Sequence, residues 1–434
     1  MTGELYETYR EILRSELIPA QGCTEPIAVA YAAAKAREVL GCFPERLELR
    51  CSGNVIKNVM GVTIPRSGGR RGVDTAAILG ALGGDPGAEL QVLESVRAEH
   101  VARLDDLLAS GYCRCALEKG VEKLFISVRA FAGGHSALVE LQNRHTNITR
   151  IERDGEVLLD RPAADEETCR KDALDLDRIF EYAETEDARI LRSLLEPQAR
   201  LNLAIAREGL EHPCGAQVGR TLLTAGGDNP AVRACALAAA ASDARMSGCS
   251  LPVVINSGSG NQGITVSVPV AEYARFLGAD EEKLCRALAI SNLTALLQKR
   301  YIGSLSAYCG VVCAACGAGT AITYLLGGSR EDMKRTVVNT LGTVSGMVCD
   351  GAKASCAAKI AAALNTAILA GEMARKGLVF QPGEGLVFGS AEDTVRSAGI
   401  LGREGMRETD EVILQLMLSR GKLQKSGASA PLSV

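Results

Sequence analysis

The chain has 434 residues, a formal net charge of −4 and 47% hydrophobic residues. This composition is typical of a globular protein and excludes a largely disordered chain. Because acidic and basic residues nearly balance, the charge gives no reason to expect binding to nucleic acid or to an anionic membrane. The chain has no Trp and 46 Gly, so we expect a core of small side chains that pack closely.

The 15 cysteines are the most informative part of the composition. Residues 1–21 form a charged amphipathic stretch without the apolar centre of a secretory signal, so we expect a cytoplasmic protein with reduced thiols. An odd number of cysteines also excludes full intramolecular pairing. We therefore expect most cysteines to be small buried side chains and a subset to bind a metal or to carry redox chemistry.

The N-terminal residues 1–44 are predicted to form helices that pack on the C-terminal body. Residues 3–17 carry apolar side chains at helical spacing, and an Ala-rich helix is predicted over 26–40. A break between them contains Thr24, a candidate helix cap, and Pro26, which suits the first turn of the second helix.

Residues 45–160 are predicted to form an α/β region with an antiparallel sheet. Apolar and polar residues alternate from Leu47, and a run of strands is predicted from 112 to 153. The Asp154-Gly155 pair predicts a hairpin turn. Residues 160–176 are polar, acidic and without periodicity, which is typical of a linker.

Residues 176–434 are predicted to form a helical catalytic domain followed by a polar tail. The fold class is therefore α+β, a largely helical body with a smaller antiparallel-sheet region near the N-terminus. Residues 308–326 are nearly uncharged, but small residues predominate there, which favours a buried core helix over a membrane span. The residues that follow Gly263 are rich in Val and Ile and are predicted to be strand-like.

Residues 257–263 contain glycines at the spacing of a dinucleotide-binding loop. That motif must open a helix, and the strand-like sequence after Gly263 therefore argues against a dinucleotide. The backbone N–H groups of this loop, with the side chains of Ser257 and Asn261, instead suit a substrate carboxylate. The four histidines follow no Ser-His-Asp order, and we interpret His145 as structural.

Five cysteines cluster in the C-terminal half of the chain. They are Cys309, Cys313, Cys316, Cys349 and Cys356. The first three fall on one face of a predicted helix, and the last two flank a predicted turn. Their spacing matches neither a zinc ribbon nor a ferredoxin, so a metal site and a Cys-rich packing face both stay open on spacing alone.

Five short motifs together resemble those of the L-cysteine desulfidase family, which is related to the catalytic α domain of iron–sulfur L-serine dehydratases. In chain order they are QGCTEP at 21–26, SGNVIK at 52–57, SGSGNQG at 257–263, LSAYCG at 305–310 and MVCDGAK at 347–353. The resemblance covers most of the chain, and five motifs in one order are more specific than any one of them.

The resemblance implies an oxygen-labile [4Fe–4S] cluster held by Cys309, Cys349 and Cys356, with one iron open. Cys316 is a rival to Cys309 as a ligand. Cys23 matches an active-site cysteine of the family, and it is expected to be either an acid/base or a fourth ligand. A nearby helix N-terminus should lower the pKa of its thiol. The predicted substrate-binding residues are Thr24, Asn54, Ser257 and Asn261.

The resemblance thus implies a cytoplasmic iron–sulfur lyase that degrades L-cysteine to hydrogen sulfide, ammonia and pyruvate. Such a β-elimination needs a base for the Cα proton and stabilisation of the leaving sulfide, which an open iron can give. The alternatives are an L-serine dehydratase on the same fold and a non-enzymatic binding protein. The expected partner is a small amino acid, with no nucleic acid and no membrane, and a homodimer stays open.

Overall fold

The computed structural model describes residues 1–163, 171–227, 229–303 and 305–423. Part of the predicted linker, with Cys169, and the last 11 residues of the predicted tail lie outside these ranges. The helices are α1 (Gly3–Glu16), α2 (Thr24–Leu40), α3 (Gly53–Met60), α4 (Val73–Gly83), α5 (Ala98–Ala102), α6 (Leu104–Ala109), α7 (Leu176–Thr185), α8 (Ala188–Glu211), α9 (Val218–Gly226), α10 (Pro230–Met246), α11 (Gly260–Phe276), α12 (Glu281–Ile302), α13 (Val311–Leu325), α14 (Arg330–Thr343), α15 (Cys356–Arg375), α16 (Ala391–Ile400) and α17 (Arg407–Leu423). The strands are β1 (Pro19–Gln21), β2 (Arg46–Cys51), β3 (Cys113–Leu117), β4 (Phe125–Ala132), β5 (His135–Gln142), β6 (Ile148–Arg153), β7 (Glu156–Asp160) and β8 (Pro252–Val254).

The predicted α+β fold with a largely helical body is confirmed, but its sheet is mixed. Six strands lie in the order β3-β2-β4-β5-β6-β7. The pairs from β2 through β4 to β7 are antiparallel, whereas β2 and β3 run parallel. The predicted antiparallel strands thus have one parallel neighbour, because helices α3 to α6 carry the chain back to the same end before β3 begins.

The helical body is packed through small residues. A Cβ atom on Gly317 of α13 would lie 2.3 Å from the Ser291 carbonyl oxygen of α12, and one on Gly209 of α8 would lie 2.0 Å from the Ala240 carbonyl oxygen of α10. These helices approach each other so closely that only glycine fits between their backbones. This agrees with a composition that is poor in large aromatic side chains.

The prediction of a strand after Gly263 is wrong, because residues 264–270 form the middle of α11. Every residue from Gly260 to Ala274 is buried. A helix that is buried on all sides is apolar all round and so shows no helical period, and its β-branched residues then resemble a strand. The glycine loop does open a helix, but the preceding strand β8 pairs antiparallel with β1 in a two-stranded sheet rather than in a parallel βαβ unit.

The β1–β8 pair brings the N-terminal segment to the glycine loop. Pro19 lies opposite Val254 and Gln21 opposite Pro252. Strand β1 leads directly into α2, and β8 leads into the loop before α11. The residues that start α2 and α11 therefore lie side by side.

One described helix, α15, is long and apolar enough to cross a membrane by length and composition, and half of its apolar window is buried in the fold. Helix α13, which spans the uncharged segment considered above, is shorter, and all but one of its side chains are buried. Both features are typical of core helices.

Candidate active site

A cavity of about 650 Å³ lies where the start of α2, the glycine loop, the start of α13 and the start of α15 meet. This size is usual for sites that bind small molecules. All eight residues predicted as site residues line it: Cys23, Thr24, Asn54, Ser257, Asn261, Cys309, Cys349 and Cys356. Chain segments that are far apart in sequence thus contribute to one cavity.

A short antiparallel bridge between Tyr308 and Val348 brings two of the cysteines together. The Cys309 N–H donates to the Met347 carbonyl at 2.7 Å, and the Cys349 N–H donates to the Ala307 carbonyl at 2.6 Å. The hydrogen bond between the two thiols lowers the pKa of Cys349 to about 6, although burial opposes this, and Lys57 adds to the lowering. The pKa of Cys309 is raised by the same interaction. One thiolate is therefore favoured in this pair.

Cys356 completes the set at the first residue of α15. Its N–H donates to the Lys353 carbonyl at 3.0 Å, and its Sγ lies 3.9 Å from the Gly351 carbonyl oxygen. Burial raises the pKa of its thiol. It lines the cavity with Cys309 and Cys349, although α13 and α14 separate it from Cys309 in the chain.

Cys316, the rival to Cys309, lies elsewhere. It is fully buried within α13 and is not among the residues that line the cavity. Burial raises the pKa of its thiol to about 12, as expected for a packed core cysteine. Its position favours the packing interpretation for this residue.

Cys23 is the residue before α2 and belongs to a small buried cluster with Val62 and Met246, against which Cys356 packs. Its Sγ donates a hydrogen bond to Glu25 Oε2 at 3.3 Å. The expected lowering of the thiol pKa is wrong: burial raises the pKa of Cys23 well above its ordinary value, and the Glu25 carboxylate raises it further. These effects outweigh the favourable charge of Arg245 and of the helix N-terminus. Cys23 is a protonated thiol in the metal-free chain.

Glu25 is a buried carboxylate that sequence reasoning did not select. Its Oε1 accepts from Asn58 Nδ2 at 3.0 Å, and its Oε2 lies 3.2 Å from Thr24 Oγ1. His145 Nε2 lies 3.7 Å from Oε1. Burial alone would raise the pKa of Glu25, but His145 and the hydrogen bonds bring it down to about 2. The site therefore holds a fixed negative charge. Glu25 lies within the QGCTEP motif, which was the available signal.

Arg245 is the positive counterpart of Glu25 in the cavity, and sequence reasoning missed it as well. The side chain is 2% exposed and comes from the end of α10. Its Nε donates to the Gly22 carbonyl at 2.9 Å and its Nη1 donates to Asn261 Oδ1 at 3.0 Å. The signal in the sequence was a charged residue at the end of an otherwise Ala-rich helix.

The predicted carboxylate-binding side chains already bond to the protein. Ser257 Oγ donates to Asn256 Oδ1 at 2.9 Å, and Thr24 Oγ1 donates to the Gly258 carbonyl at 2.8 Å. Asn261 uses its Oδ1 for Arg245. Gln262, by contrast, lines the cavity with an Oε1 atom that is buried and has no hydrogen-bond partner among the described residues. The carboxamide of Gln262 packs against Gly310, the residue after Cys309, so closely that a Cβ atom on Gly310 would lie 2.5 Å from its Oε1.

Lysines surround the cysteine pair. Lys57 of α3 is 1% exposed, pairs with Asp410 of α17, and packs its backbone against Gly351. Lys359 of α15 donates to the Val348 carbonyl at 2.7 Å and to Asp350 Oδ1 at 2.7 Å. Lys299 lines the cavity as well. These positive charges favour the thiolate forms that a metal centre requires.

Three thiols on one cavity are donors of the type that holds an iron–sulfur cluster. Within the described ranges, no group of three His, Cys, Asp or Glu side chains is close enough to hold one metal ion. Thiolates spread around a cavity are the ligands of clusters, whose irons are bridged by their own sulfide. The lysines would offset the negative charge that three such thiolates add.

Known proteins place this chain in a family. A model described as serine dehydratase alpha chain matches residues 88–415, which include Arg245, the glycine loop, Cys309, Cys349 and Cys356. A UPF0597 protein of Lachnoclostridium phytofermentans is 49% identical over 96% of this chain and 100% of its own length. UPF0597 proteins of Desulfitobacterium hafniense and Treponema denticola are 44% and 42% identical, over 96% and 95% of this chain and 97% and 98% of their own lengths. The chain belongs to the serine dehydratase alpha-chain family.

Proposed function

We propose that this protein is a cytoplasmic iron–sulfur lyase that converts L-cysteine and water to hydrogen sulfide, ammonia and pyruvate. The observation that supports this proposal is the presence of Cys23, Cys309, Cys349 and Cys356 on one cavity. The family membership supports a lyase of the serine dehydratase type, and the choice of L-cysteine rests on the five motifs.

The three residues that would hold the cluster are Cys309, Cys349 and Cys356. When bound through three thiolates, a [4Fe–4S] cluster supplies an open iron, which is a Lewis acid for the departing sulfide. Lys57 and Lys359 stabilise the thiolate of Cys349. The bridge between Tyr308 and Val348 fixes the backbone beside Cys309 and Cys349, so both residues line the same cavity.

Cys23 is the residue that we assign to proton transfer at the substrate Cα. Its sulfur lies between opposite charges: Glu25 favours the thiol, and Arg245 favours the thiolate. A change in the charge of either neighbour therefore changes the pKa of the Cys23 thiol and so favours its gain or loss of a proton. Cys356 packs against the buried cluster that contains Cys23, and this supports a position for Cys23 beside the proposed metal centre.

L-Serine is the second candidate substrate, and the match to the serine dehydratase alpha chain supports it. Elimination from serine differs only in the leaving group, which is hydroxide instead of sulfide. A soft thiolate binds iron well, and this preference supports L-cysteine. The product enamine tautomerises and hydrolyses to pyruvate and ammonia in either case.

The experiment is an anaerobic reconstitution of the full chain with ferrous iron and sulfide, followed by removal of both reagents. Turnover is then measured with L-cysteine and L-serine side by side, through pyruvate and ammonia, with released sulfide as the third readout for cysteine. The proposal expects sulfide and pyruvate in equal amounts and a larger kcat/KM for cysteine. Faster reaction with serine would make the protein a serine dehydratase, and a reconstituted chain without turnover would overturn the lyase.

Two cysteine variants serve as the test and the matched control for the ligand assignment. Cys309→Ser removes a proposed ligand, while Cys316→Ser removes a thiol from α13 that lies away from the cavity. The proposal expects loss of the visible absorbance of the cluster in the first variant and its retention in the second. The reverse result would move the ligand assignment to Cys316.

A further inference from the structure

We propose that Arg245 binds the α-carboxylate of the amino-acid substrate and that Asn261 acts only by positioning it. The inference rests on the proposed function, because it names the residue that recognises the substrate of that site. It also changes the sequence-based assignment, which gave the carboxylate to the side chains of the glycine loop.

The first argument is an uncompensated charge. Arg245 is 2% exposed, and its Nε and Nη1 atoms donate to two uncharged oxygens. Among the described residues, no carboxylate oxygen lies within 4 Å of its guanidinium. A buried cation without an anion is costly, and proteins keep such a charge where a ligand completes it. The guanidinium of Arg245 therefore has no anion in direct contact among the described residues, and an anionic ligand can take that position.

The second argument is the shape around the guanidinium. A Cβ atom on Gly260 would lie 2.4 Å from Arg245 Nε and 2.8 Å from Nη2, so only glycine leaves room for this side chain. On the other side, Gly22 has a φ of +64° and turns its carbonyl to Nε. The Nη2 atom has no hydrogen-bond partner among the described residues, and Arg245 lines the cavity. Two motif glycines thus hold the guanidinium with one nitrogen left for a ligand.

The third argument is what lies beside this nitrogen. The next residue, Met246, shares a small buried cluster with Cys23, and Cys356 packs against that cluster. Glu25 accepts the hydrogen bond of the Cys23 sulfur. A carboxylate on Arg245 would place the attached Cα beside Cys23, the α-ammonium on the side of Glu25 and the β-substituent toward Cys356. An α-amino acid has this distribution of charge.

The test uses L-alanine, which has no leaving group and so binds without reacting. Its affinity for the full chain is measured by calorimetry, before and after reconstitution, beside L-alaninamide, which lacks the carboxylate charge. The proposal expects L-alaninamide to bind about 10- to 100-fold more weakly, as for the loss of a charge-assisted hydrogen bond. Arg245→Met should remove this difference, whereas Arg245→Lys should keep part of it.

Arg200→Met is the matched control, because Arg200 is an exposed residue that pairs with Glu196 of the same helix. It should bind L-alanine as the unchanged chain does. Asn261→Ala should weaken the binding of L-alanine. The variant should still prefer L-alanine to L-alaninamide, since the guanidinium of Arg245 is still present. L-Lactate, a carboxylate without the ammonium, should bind more weakly than L-alanine, and equal binding would mean that the site takes carboxylic acids in general and not amino acids.

Other outcomes decide against the proposal. A folded Arg245→Met chain that still prefers L-alanine to L-alaninamide would overturn it, and so would an unchanged chain that binds both alike or neither. If Arg245→Met does not fold, the affinities for L-alanine and L-alaninamide are compared between the unchanged chain and Arg245→Lys. The proposal then expects a smaller preference for L-alanine in Arg245→Lys, and an equal preference in both chains would overturn it. An unchanged chain that prefers L-alanine but releases no sulfide, pyruvate or ammonia would contradict the proposed lyase and leave the carboxylate site standing.

Discussion

Two groups of three cysteines lie in this molecule, and their surroundings differ. The cavity cysteines are Cys309, Cys349 and Cys356, and the sheet cysteines are Cys51 of β2 with Cys113 and Cys115 of β3. In the sheet, Cys115 lies opposite Leu49, two residues before Cys51. Both groups contain a hydrogen-bonded pair of thiols. Proximity of thiols is therefore not what separates them.

The difference lies in charge and open space. The cavity cysteines face a space of about 650 Å³, which none of the sheet cysteines lines. Lys57 and Lys359 help to lower the pKa of Cys349 to about 6. In the sheet, burial raises the pKa of Cys113, and the nearby Asp74 carboxylate raises it further. The cavity thiols are therefore candidate ligands, because lysines and open space accompany them, whereas the sheet thiols have a carboxylate nearby and line no part of this cavity.

The largest expected effect is the loss of the cluster. Cys309→Ser, Cys349→Ser and Cys356→Ser should each abolish the visible absorbance and the bound iron of the anaerobically reconstituted protein. The matched changes Cys51→Ser, Cys113→Ser and Cys115→Ser should leave both in place. Iron loss from any sheet variant with an intact far-UV circular dichroism spectrum would break the comparison.

The next effect concerns Cys23, which lies on the cavity without being counted as a ligand. Cys23→Ser should retain the cluster absorbance but lower kcat by about 10²- to 10⁴-fold, since a positioned proton-transfer group contributes about that much. Parallel iron and rate measurements check this. Loss of iron would make Cys23 a fourth ligand, and full activity with full iron would exclude both roles.

A smaller effect is expected at Lys57, whose positive charge lies near Cys349. Lys57→Met should make the cluster leave about 10-fold faster on exposure to a chelator, because residues behind metal ligands commonly change metal affinity by about 10- to 100-fold. Lys35→Met, which removes a surface lysine paired with Glu38, is the control. Equal cluster lifetimes in the two variants would show that Lys57 does not support the site.

The smallest effect is a difference in pH dependence between two partly exposed thiols. Because the thiolate is the reactive form, iodoacetamide should alkylate Cys349 of the reduced, metal-free chain with a half-maximal rate near pH 6. Cys113 has a raised pKa and should react only in strongly alkaline solution. Peptide mass spectrometry across pH 5 to 10 measures both rates. Coinciding profiles would contradict the assigned difference in charge.

Sequence patterns were sufficient for the fold class and for the half-buried elements. Strand β2 alternates exposed and buried residues along its whole length, so its period was visible in the sequence. Helix α11 was missed because its burial on all sides removes any period. The parallel β2–β3 pair was missed because pairing direction depends on how intervening helices return the chain, which no local pattern encodes.

Within the candidate site, motifs predicted which segments matter but not how they face each other. Cys23 was expected to have a lowered pKa from its place before α2, and its burial beside Glu25 raises it instead. That burial is a tertiary effect. Arg245 lies outside all five motifs, and its charge at the end of an Ala-rich helix became informative only with its position in the cavity. His145 lies 3.7 Å from Glu25, so it touches the site although we interpreted it as structural.

The most direct test of three-cysteine ligation is Mössbauer spectroscopy of the protein reconstituted anaerobically with ⁵⁷Fe. A [4Fe–4S] cluster held by Cys309, Cys349 and Cys356 should show one iron that differs from the other three, and addition of L-cysteine should change the signal of that iron alone. Four irons with one common signal that L-cysteine leaves unchanged, or a chain that binds no cluster at all, would contradict the account.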